Sequence, residues 1–196
     1  MNKCIDFYFD FVSPYSYLAH TRIKKIELQK KIKINYKPIL LGGLHKLAKI
    51  TAPAFVDSKK NYLVQDCEMV AKKFGINFKF NDNFPISSLN FMRGLLTINE
   101  EIKEKYINTL FESYWVLNLD ISDEKEMNKI LLSLNINQDI FFKKINEKKV
   151  KDLLKNLTQK AYDKKIFGAP TFVVNKKIFW GQDRLDYALD EYQKKY

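Results

Sequence analysis

The feature that most constrains the fold of this chain is a strand that runs directly into a helix near the N-terminus. Cys4–Phe9 combines alternating apolar residues with aromatic side chains, which favours a strand. Pro14 suits a first helical turn and leaves Ser13 as a good N-cap. The face of the following helix is marked at steps of three and four by Tyr15, Leu18, Ala19, Arg22, Ile23 and Ile26. Ser13 is therefore predicted to lie at the positive end of a helix dipole, where an anion binds well.

The segment Ser13-Pro14-Tyr15-Ser16 has the position of the Cys-x-x-Cys redox motif in a thioredoxin-like strand–helix unit, with serine in place of both cysteines. A second stretch, Phe167–Val174, leads through Asn175-Lys176 into Lys177–Trp180 and indicates a hairpin. Pro170, just before its first strand, has the usual place of a cis peptide bond. Together the two ends of the chain predict a split thioredoxin-like fold. From the first motif alone, Ser13 as a helix cap and nothing more remains an open alternative.

The segment between these two ends is predicted to be mostly helical. Lys31–Lys37 indicates a second strand, ended by Pro38, and Gly42–Gly43 is predicted to interrupt the pattern before a helical period begins at Leu44. Almost no strand signal falls between Leu44 and Tyr162. Further helices are predicted over Leu63–Phe74 with a stop at Gly75, over Leu89–Ile98, over Ile107–Tyr114 with an end near Trp115, after a cap at Ser122, over Val150–Ala161 and over Leu185–Tyr192.

A helical block of this length between two strand regions is too long to be a loop. We therefore predict an α/β fold with a discontinuous thioredoxin-like domain, residues 1–43 and 163–196, and a large inserted all-helical domain, residues 44–162. Binding sites favour domain interfaces, so the cleft between the two domains is the predicted ligand site.

The formal net charge of +11 does not by itself indicate nucleic-acid binding. The only arginines are Arg22, Arg93 and Arg184, so nearly all the positive charge comes from lysines that are spread along the chain. A solvated lysine surface is the favoured interpretation, and we expect no nucleic-acid partner. A positive field would still attract anionic small molecules.

No run of about 18 apolar residues occurs, so we expect no membrane span and no membrane partner. Asp6 and Asp10 break the apolar character that the core of a signal peptide needs. We therefore expect a cytoplasmic protein, in which the unpaired Cys4 and Cys67 are ordinary core residues.

Other catalytic signatures are missing from the sequence. It contains no P-loop, no dinucleotide-binding glycine motif, no His-Glu-x-x-His and no cysteine cluster, so no metal site is predicted. His20 is predicted to be structural, and His45 is predicted to border the cleft. Without a partner base Ser13 is a poor nucleophile. It is better suited to donate a hydrogen bond to a cofactor thiolate, which would lower the pKa of that thiol.

Several longer stretches extend these motifs over nearly the whole chain. They are Asp10–Ala19, Pro38–Gly43, Lys59–Asp66, Phe84-Pro85 with Arg93, Phe167–Thr171 and Phe179–Leu185. In their order and spacing the chain resembles the 2-hydroxychromene-2-carboxylate isomerases and the related kappa-class glutathione transferases, within the wider superfamily of thiol–disulfide oxidoreductases. The pairing of Ser-Pro-Tyr-Ser with Phe-Trp-Gly-Gln-Asp-Arg-Leu makes the resemblance specific.

The resemblance implies glutathione as cofactor and a glutathione-dependent isomerase acting in aromatic degradation. It implies that Ser13 stabilises the glutathione thiolate and that the backbone of Ala169, ahead of Pro170, pairs with the cysteinyl part. The remaining implied binding residues are Gln182 and Asp183 for the γ-glutamyl end with Arg184 beside them, Lys59 for the glycyl carboxylate, and Asp66 near that carboxylate. For Arg184 an ion pair within the fold is an equal alternative. For Lys59 the alternative is a plain surface lysine.

The resemblance also leaves alternatives open. Ile50 stands where the family pattern has an asparagine, so either the peptide is held differently, with Thr51 compensating, or the second substrate differs. A kappa-like transferase that conjugates electrophiles and a redox-inactive binding module are the competing functions. A disulfide oxidoreductase is excluded because Ser13 and Ser16 form no disulfide. The second substrate is expected to be a small aromatic or electrophilic molecule. A homodimer is expected from the resemblance and from apolar surface expected on the helices around Trp115.

Overall fold

The computed structural model describes residues 4–29 and 32–194, and these form one four-stranded sheet and nine α-helices. The strands are β1 (Ile5–Phe9), β2 (Ile34–Pro38), β3 (Thr171–Val174) and β4 (Lys177–Trp180). The helices are α1 (Pro14–Gln29), α2 (Leu41–Ala48), α3 (Asp57–Phe74), α4 (Leu89–Leu95), α5 (Glu100–Trp115), α6 (Glu124–Ser133), α7 (Gln138–Asn146), α8 (Lys148–Asp163) and α9 (Leu185–Gln193). Within these residues no helix is both long and apolar enough to cross a membrane.

The sheet is built from both ends of the chain, in the order β2-β1-β3-β4. β1 pairs in parallel with β2 and antiparallel with β3, with Phe7 opposite Tyr36 on one side and Phe172 on the other. β3 and β4 form the predicted hairpin, and its turn residues Asn175 and Lys176 both have positive φ. The predicted thioredoxin-like arrangement, a parallel strand pair followed by a terminal hairpin and helix, is confirmed.

Alternation along β1 places its side chains on both faces of the sheet. Ile5, Phe7 and Phe9 are fully buried in the larger apolar cluster, together with residues of α1, α5 and α9. Tyr8 points to the other face and lies in a second cluster with residues of α2 and α8. The sheet is therefore covered on both faces. The predicted ligand site lies at the end of the sheet where β1 ends and β3 begins.

The helical block shares its core with the sheet. Trp115 is fully buried at the end of α5, and its indole N–H donates to the backbone oxygen of Phe11 at 2.8 Å. The Phe11 ring packs edge-on against Phe111 of the same helix, with ring centroids 5.0 Å apart. These aromatic side chains are therefore part of the core. The apolar surface expected on the helices around Trp115 stays a prediction. The domain boundaries after residue 43 and before residue 163 stay a prediction.

The predicted interruption at Gly42–Gly43 is wrong, because α2 begins at Leu41 and contains both glycines. Each glycine lowers intrinsic helix stability by about 1 kcal/mol relative to alanine. Two tertiary contacts offset this: the Asp10 carboxylate accepts the Leu41 N–H at 2.7 Å, and Leu44 is fully buried in the cluster with α8. Neither contact is local, so the sequence pattern alone misplaces the helix start.

Other boundaries differ in smaller ways. The cap of α6 is Asp123, whose carboxylate accepts from the N–H groups of Lys125 and Glu126, because the predicted cap Ser122 instead donates its hydroxyl to Asp120. α7 is not predicted, since it is short and its two buried side chains give little periodic signal. α4 ends at Leu95 rather than at residue 98, and Cys4 precedes β1 and is only half-buried. Lys31, the predicted start of the second strand, lies outside the described residues.

Candidate functional site

The Ser13 hydroxyl lies where the start of α1 meets the loop before β3. Its Oγ accepts the Ser16 N–H at 3.1 Å, which confirms the predicted N-cap. The same hydroxyl donates to the backbone oxygen of Ala169 at 3.0 Å, and the Ala169–Pro170 peptide bond is cis, as predicted. Ser13 is therefore more than a local cap, because it joins two segments that are 156 residues apart. Ser16, by contrast, is fully buried within the fold.

Directly before this junction, Asp10 is fully buried at the end of β1. Its carboxylate accepts the N–H groups of Val12 at 3.1 Å and of Leu41 at 2.7 Å, and it also receives a hydrogen bond from the Ser88 hydroxyl. Burial raises the pKa of Asp10 to about 6, although these three donors act in the opposite direction. Asp10 thus ties α2 and the start of α4 to the strand end that carries Ser13.

A cavity of about 390 Å³ opens on one side of the Ala169–Pro170 loop. Six of the residues predicted to bind a cofactor line it together: Asp66, Ala169, Pro170, Gln182, Asp183 and Arg184. The other lining residues are Tyr15, Trp180 and Gly181. We call this the smaller cavity; it brings backbone polar groups, two carboxylates and one guanidinium into one place.

The far wall of the smaller cavity is fixed by the turn after β4. The Gly181 N–H donates to the Pro170 oxygen at 3.0 Å, so the turn is joined to the cis-proline loop. Gly181 has φ +109°, and a Cβ there would lie 2.5 Å from Oδ1 of Asp183, so this position requires glycine. Asp183 pairs with the neighbouring Arg184 at 2.9 Å, and both side chains are about half exposed. Such an ion pair is weak in water, and the Asp183 carboxylate therefore stays accessible to a ligand.

On the near wall, the Tyr15 hydroxyl donates to Oδ2 of Asp66 at 2.6 Å. Burial and the hydrogen bond to Asp66 raise the pKa of Tyr15, so this phenol remains protonated and acts as a donor. The pair joins the first turn of α1 to the middle of α3.

A second cavity of about 570 Å³, the larger cavity, lies on the other side of Ala169. Its walls come from α2, from the segment around residues 50–55, from α3, from the loop before α4 and from the loop at Phe167, and they are mostly apolar. Ser13, Lys59 and Ile50 line it, so Ile50 faces the site as its family position implies. Lys59 and Asp66, predicted near the same carboxylate, line different cavities.

His45 lines the larger cavity, as the sequence predicts. Its imidazole has no hydrogen-bond partner among the residues that the structure describes, and partial burial lowers its pKa, so the ring is neutral at pH 7. His20 is also where the sequence places it, in the core, hydrogen-bonded to the Tyr36 hydroxyl and to Asn108, both at 2.8 Å. Residues 4–29 and 32–194 contain no cluster of three His, Cys, Asp or Glu side chains that could hold a metal ion.

Trp180 forms part of the wall that the two cavities share, together with Tyr15 and Ala169. Its indole packs against Phe167 with ring centroids 4.8 Å apart and lies so close to Gly168 that a Cβ there would be 2.5 Å from Nε1. Sequence reasoning assigned no role to Trp180 or Tyr15. The sequence signal was limited to the position of Trp180 directly before Gly181 and Gln182-Asp183-Arg184; only the structure shows that its side chain is half exposed.

Comparison with known proteins gives a family match and relatives of similar length. The model of the DSBA-like thioredoxin domain family matches residues 4–193. The 2-hydroxychromene-2-carboxylate isomerase of Sphingobium xenophagum is 28% identical over 193 residues, covering 95% of this chain and 96% of the relative. Glutathione S-transferase kappa 1 of Caenorhabditis elegans is 29% identical, covering 97% and 91% of the two chains. A solved structure of 2-hydroxychromene-2-carboxylate isomerase aligns with a TM-score of 0.86 at 26% identity, covering 95% of this chain and 93% of that one.

Proposed function

We propose that this chain, which belongs to the DSBA-like thioredoxin domain family, is a glutathione-dependent isomerase of the 2-hydroxychromene-2-carboxylate type. The observation that carries the proposal is the pair of adjoining cavities, which share Tyr15, Ala169 and Trp180 and have Ser13 beside the shared wall. Such a site suits a peptide thiol in one part and an apolar reactant in the other. Thiol–disulfide exchange at this motif is excluded, since it needs a cysteine at Ser13 or Ser16.

The charges of the site suit the two ends of glutathione. In the smaller cavity, the Asp183 carboxylate accepts from the γ-glutamyl ammonium, and Gln182 donates to the γ-glutamyl carboxylate. At the other end Lys59 pairs with the glycyl carboxylate from the larger cavity. Ala169 lines both cavities, which supports assigning its backbone polar groups to the cysteinyl residue between the two ends.

The other predicted binding residues have supporting roles in this arrangement. Pro170 lines the smaller cavity next to Ala169, and Arg184 adds positive charge near the γ-glutamyl carboxylate. An ionised Asp66 would repel the glycyl carboxylate, so we place Asp66 on the ammonium side, where it also holds Tyr15.

Ser13 is the residue proposed to act on the thiol. When bound, glutathione supplies a thiol whose thiolate form is the nucleophile. The Ser13 hydroxyl turns from the Ala169 oxygen to donate to that sulfur, next to the N–H groups and the positive dipole end of α1. One such hydrogen bond to the anion, at about 1.4 kcal/mol, lowers the thiol pKa by about one.

The larger cavity is proposed to hold the second reactant. Its mostly apolar walls suit an aromatic molecule, and Ile50 at the family's asparagine position makes that wall apolar as well. A neutral His45 is able to accept a proton from a substrate hydroxyl or to hydrogen-bond a substrate oxygen. A kappa-like transferase is the second candidate, because the same apolar cavity accepts an electrophile.

Calorimetry with glutathione tests the cofactor. We expect one glutathione per chain, and Asp183→Ala should weaken binding roughly tenfold, since a hydrogen bond to a charged group contributes about 1.5 kcal/mol or more. Asp190→Ala, which removes an exposed carboxylate from α9 outside both cavities, is the matched control. If glutathione at several millimolar produces neither heat nor a thermal shift, the cofactor assignment fails.

Thiol titration during turnover separates the two activities. Isomerisation leaves the total glutathione thiol unchanged, whereas conjugation consumes one thiol for each product molecule. Turnover of a 2-hydroxychromene-2-carboxylate with constant thiol supports the isomerase. Thiol loss with an activated aryl chloride, and no isomerisation, would replace it by the transferase.

We also propose a cytoplasmic homodimer. Three exposed apolar side chains, Phe55, Tyr62 and Met69, follow one another at steps of seven along the segment that leads into α3 and along α3 itself. They offer apolar surface for self-association, whereas the Trp115 side chain itself is buried.

A further inference from the structure

Arg22, on α1, is buried. It does not line the smaller cavity itself, but it contacts Gln182, which does. One guanidinium nitrogen, Nη1, donates to the backbone oxygen of Gln182 at 3.0 Å and lies 3.5 Å from its side-chain oxygen Oε1. The other, Nη2, donates to both carboxylate oxygens of Asp186 at 2.9 and 2.8 Å. The guanidinium carbon also lies 4.2 Å from the centre of the Phe74 ring at the end of α3. Arg22 therefore joins α1, α3 and the start of α9 at one point.

These contacts determine which way the Gln182 amide faces. A guanidinium has only donors, so the amide oxygen of Gln182 faces Arg22 and the amide nitrogen is turned away from it. Gln182 is only 7% exposed, and it lines the smaller cavity. Its Nε2 has no hydrogen-bond partner among the residues that the structure describes. The amide thus presents an unpaired donor on the side away from Arg22.

The geometry points to Arg22 as a positioning residue that fixes Gln182 as a hydrogen-bond donor for the α-carboxylate of a γ-glutamyl group. This inference rests on the proposed function, and it adds a residue that touches no ligand itself. Arg22 belongs to the helix that begins after Ser13, so it also sets the position of the γ-glutamyl end relative to the thiol end.

The competing explanation is that Arg22 only stabilises the packing of α1 against α3 and α9. The two explanations differ in which ligands they affect. A positioning role weakens the binding of glutathione but not of cysteinylglycine, the same thiol without its γ-glutamyl group. Loss of a purely structural contact weakens the binding of both thiols to the same extent.

Calorimetry on the full chain with both thiols tests the inference. Arg22→Met keeps an apolar side chain against Phe74 and removes every donor, and we expect a roughly tenfold loss of affinity for glutathione with unchanged affinity for cysteinylglycine. Gln182→Met, which removes the donor itself, should lose roughly tenfold to a hundredfold. The double variant should bind glutathione no more weakly than Gln182→Met alone, because Arg22 acts through Gln182.

A control variant and a substitute variant complete the test. Lys25→Gln removes another α1 contact, the hydrogen bond from Lys25 to the Phe74 oxygen at 3.2 Å, and should leave both affinities unchanged. Should Arg22→Met fail to fold, Arg22→Lys keeps the charge near Asp186 but cannot bond Asp186 and Gln182 together in the same way, and should show the same selective loss at smaller size.

In the variants, either of two results would overturn the inference: an equal loss for both thiols, or losses that add in the double variant. If the unaltered chain binds cysteinylglycine and glutathione equally, Gln182 is not a γ-glutamyl ligand and the inference fails while the thiol site stands. If it binds neither, the proposed function fails first.

Discussion

Replacing Asp10 by asparagine should remove much of the pH dependence of the stability of this protein between pH 4 and pH 7. Asp10 is fully buried, and its carboxylate receives hydrogen bonds from Val12, Leu41 and Ser88. Burial raises the pKa of Asp10 from its ordinary value of 3.8 to about 6 in the folded protein. The folded state therefore binds this proton more tightly than the unfolded state does.

The sign and size of the effect follow by linkage. A raised pKa in the folded state stabilises fully below the unfolded-state value near 3.8, and this contribution is lost as the pH rises to about 6. The difference between 3.8 and about 6, at about 1.4 kcal/mol for a change of one in pKa, corresponds to about 3 kcal/mol. The free energy of unfolding of the unaltered protein, relative to Asp10→Asn, should fall by most of this amount, about 2 kcal/mol, from pH 4 to pH 7.

Urea unfolding of both proteins at pH 4, 5, 6 and 7 measures this difference. Asp6→Asn, which removes a half-buried carboxylate from the same strand, serves as the matched control and reports what loss of a β1 carboxylate does in general. A difference between Asp10→Asn and the unaltered protein that stays constant from pH 4 to pH 7 would refute the argument. So would a carboxyl chemical shift of Asp10 that titrates near pH 4 in the folded protein.

Three further outcomes are expected. Ser13→Ala should lower stability by about 1 kcal/mol through loss of the helix cap, and should lower turnover by roughly 10²–10³; glutathione should still bind, with its thiol titrating at higher pH, and unchanged turnover would make the role of Ser13 structural only. Gly94→Ala should lower the free energy of unfolding in urea by about 1–3 kcal/mol, because the new Cβ would lie 2.3 Å from the Tyr106 hydroxyl and 2.5 Å from the Phe141 ring, both buried; an unchanged midpoint would contradict this packing. Light scattering should give twice the 23.2 kDa chain mass, and a mass near 23.2 kDa counts against the dimer.

Local sequence signals were sufficient for the elements at the two ends of the chain. The N-cap at Ser13, the first helical turn at Pro14 and the turn at Asn175-Lys176 each depend on residues within one or two turns of each other. The same holds for the stop of α3 at Gly75, which has positive φ. Such features can be predicted because their physical cause lies in neighbouring residues.

The start of α2 could not be predicted in this way. Gly42–Gly43 breaks a helix by local propensity, and only the distant Asp10 carboxylate and the packing against α8 reverse that preference. The burial of Trp115 likewise depends on Phe11 and on neighbouring helices rather than on its own segment.

The same distinction between local and long-range causes applies to the candidate site. The sequence alone determined which residues are candidates for the site, because serine in place of both motif cysteines and the order Gln-Asp-Arg after Phe179-Trp180 can be read directly from the chain. Only the tertiary structure showed that Asp66 and Lys59 line different cavities and that Trp180 lines both cavities. It alone also showed that Arg22 contacts Gln182. The physical reason is that a cavity is formed where segments far apart in sequence meet, and the direction of each side chain there is set by partners that no local pattern contains.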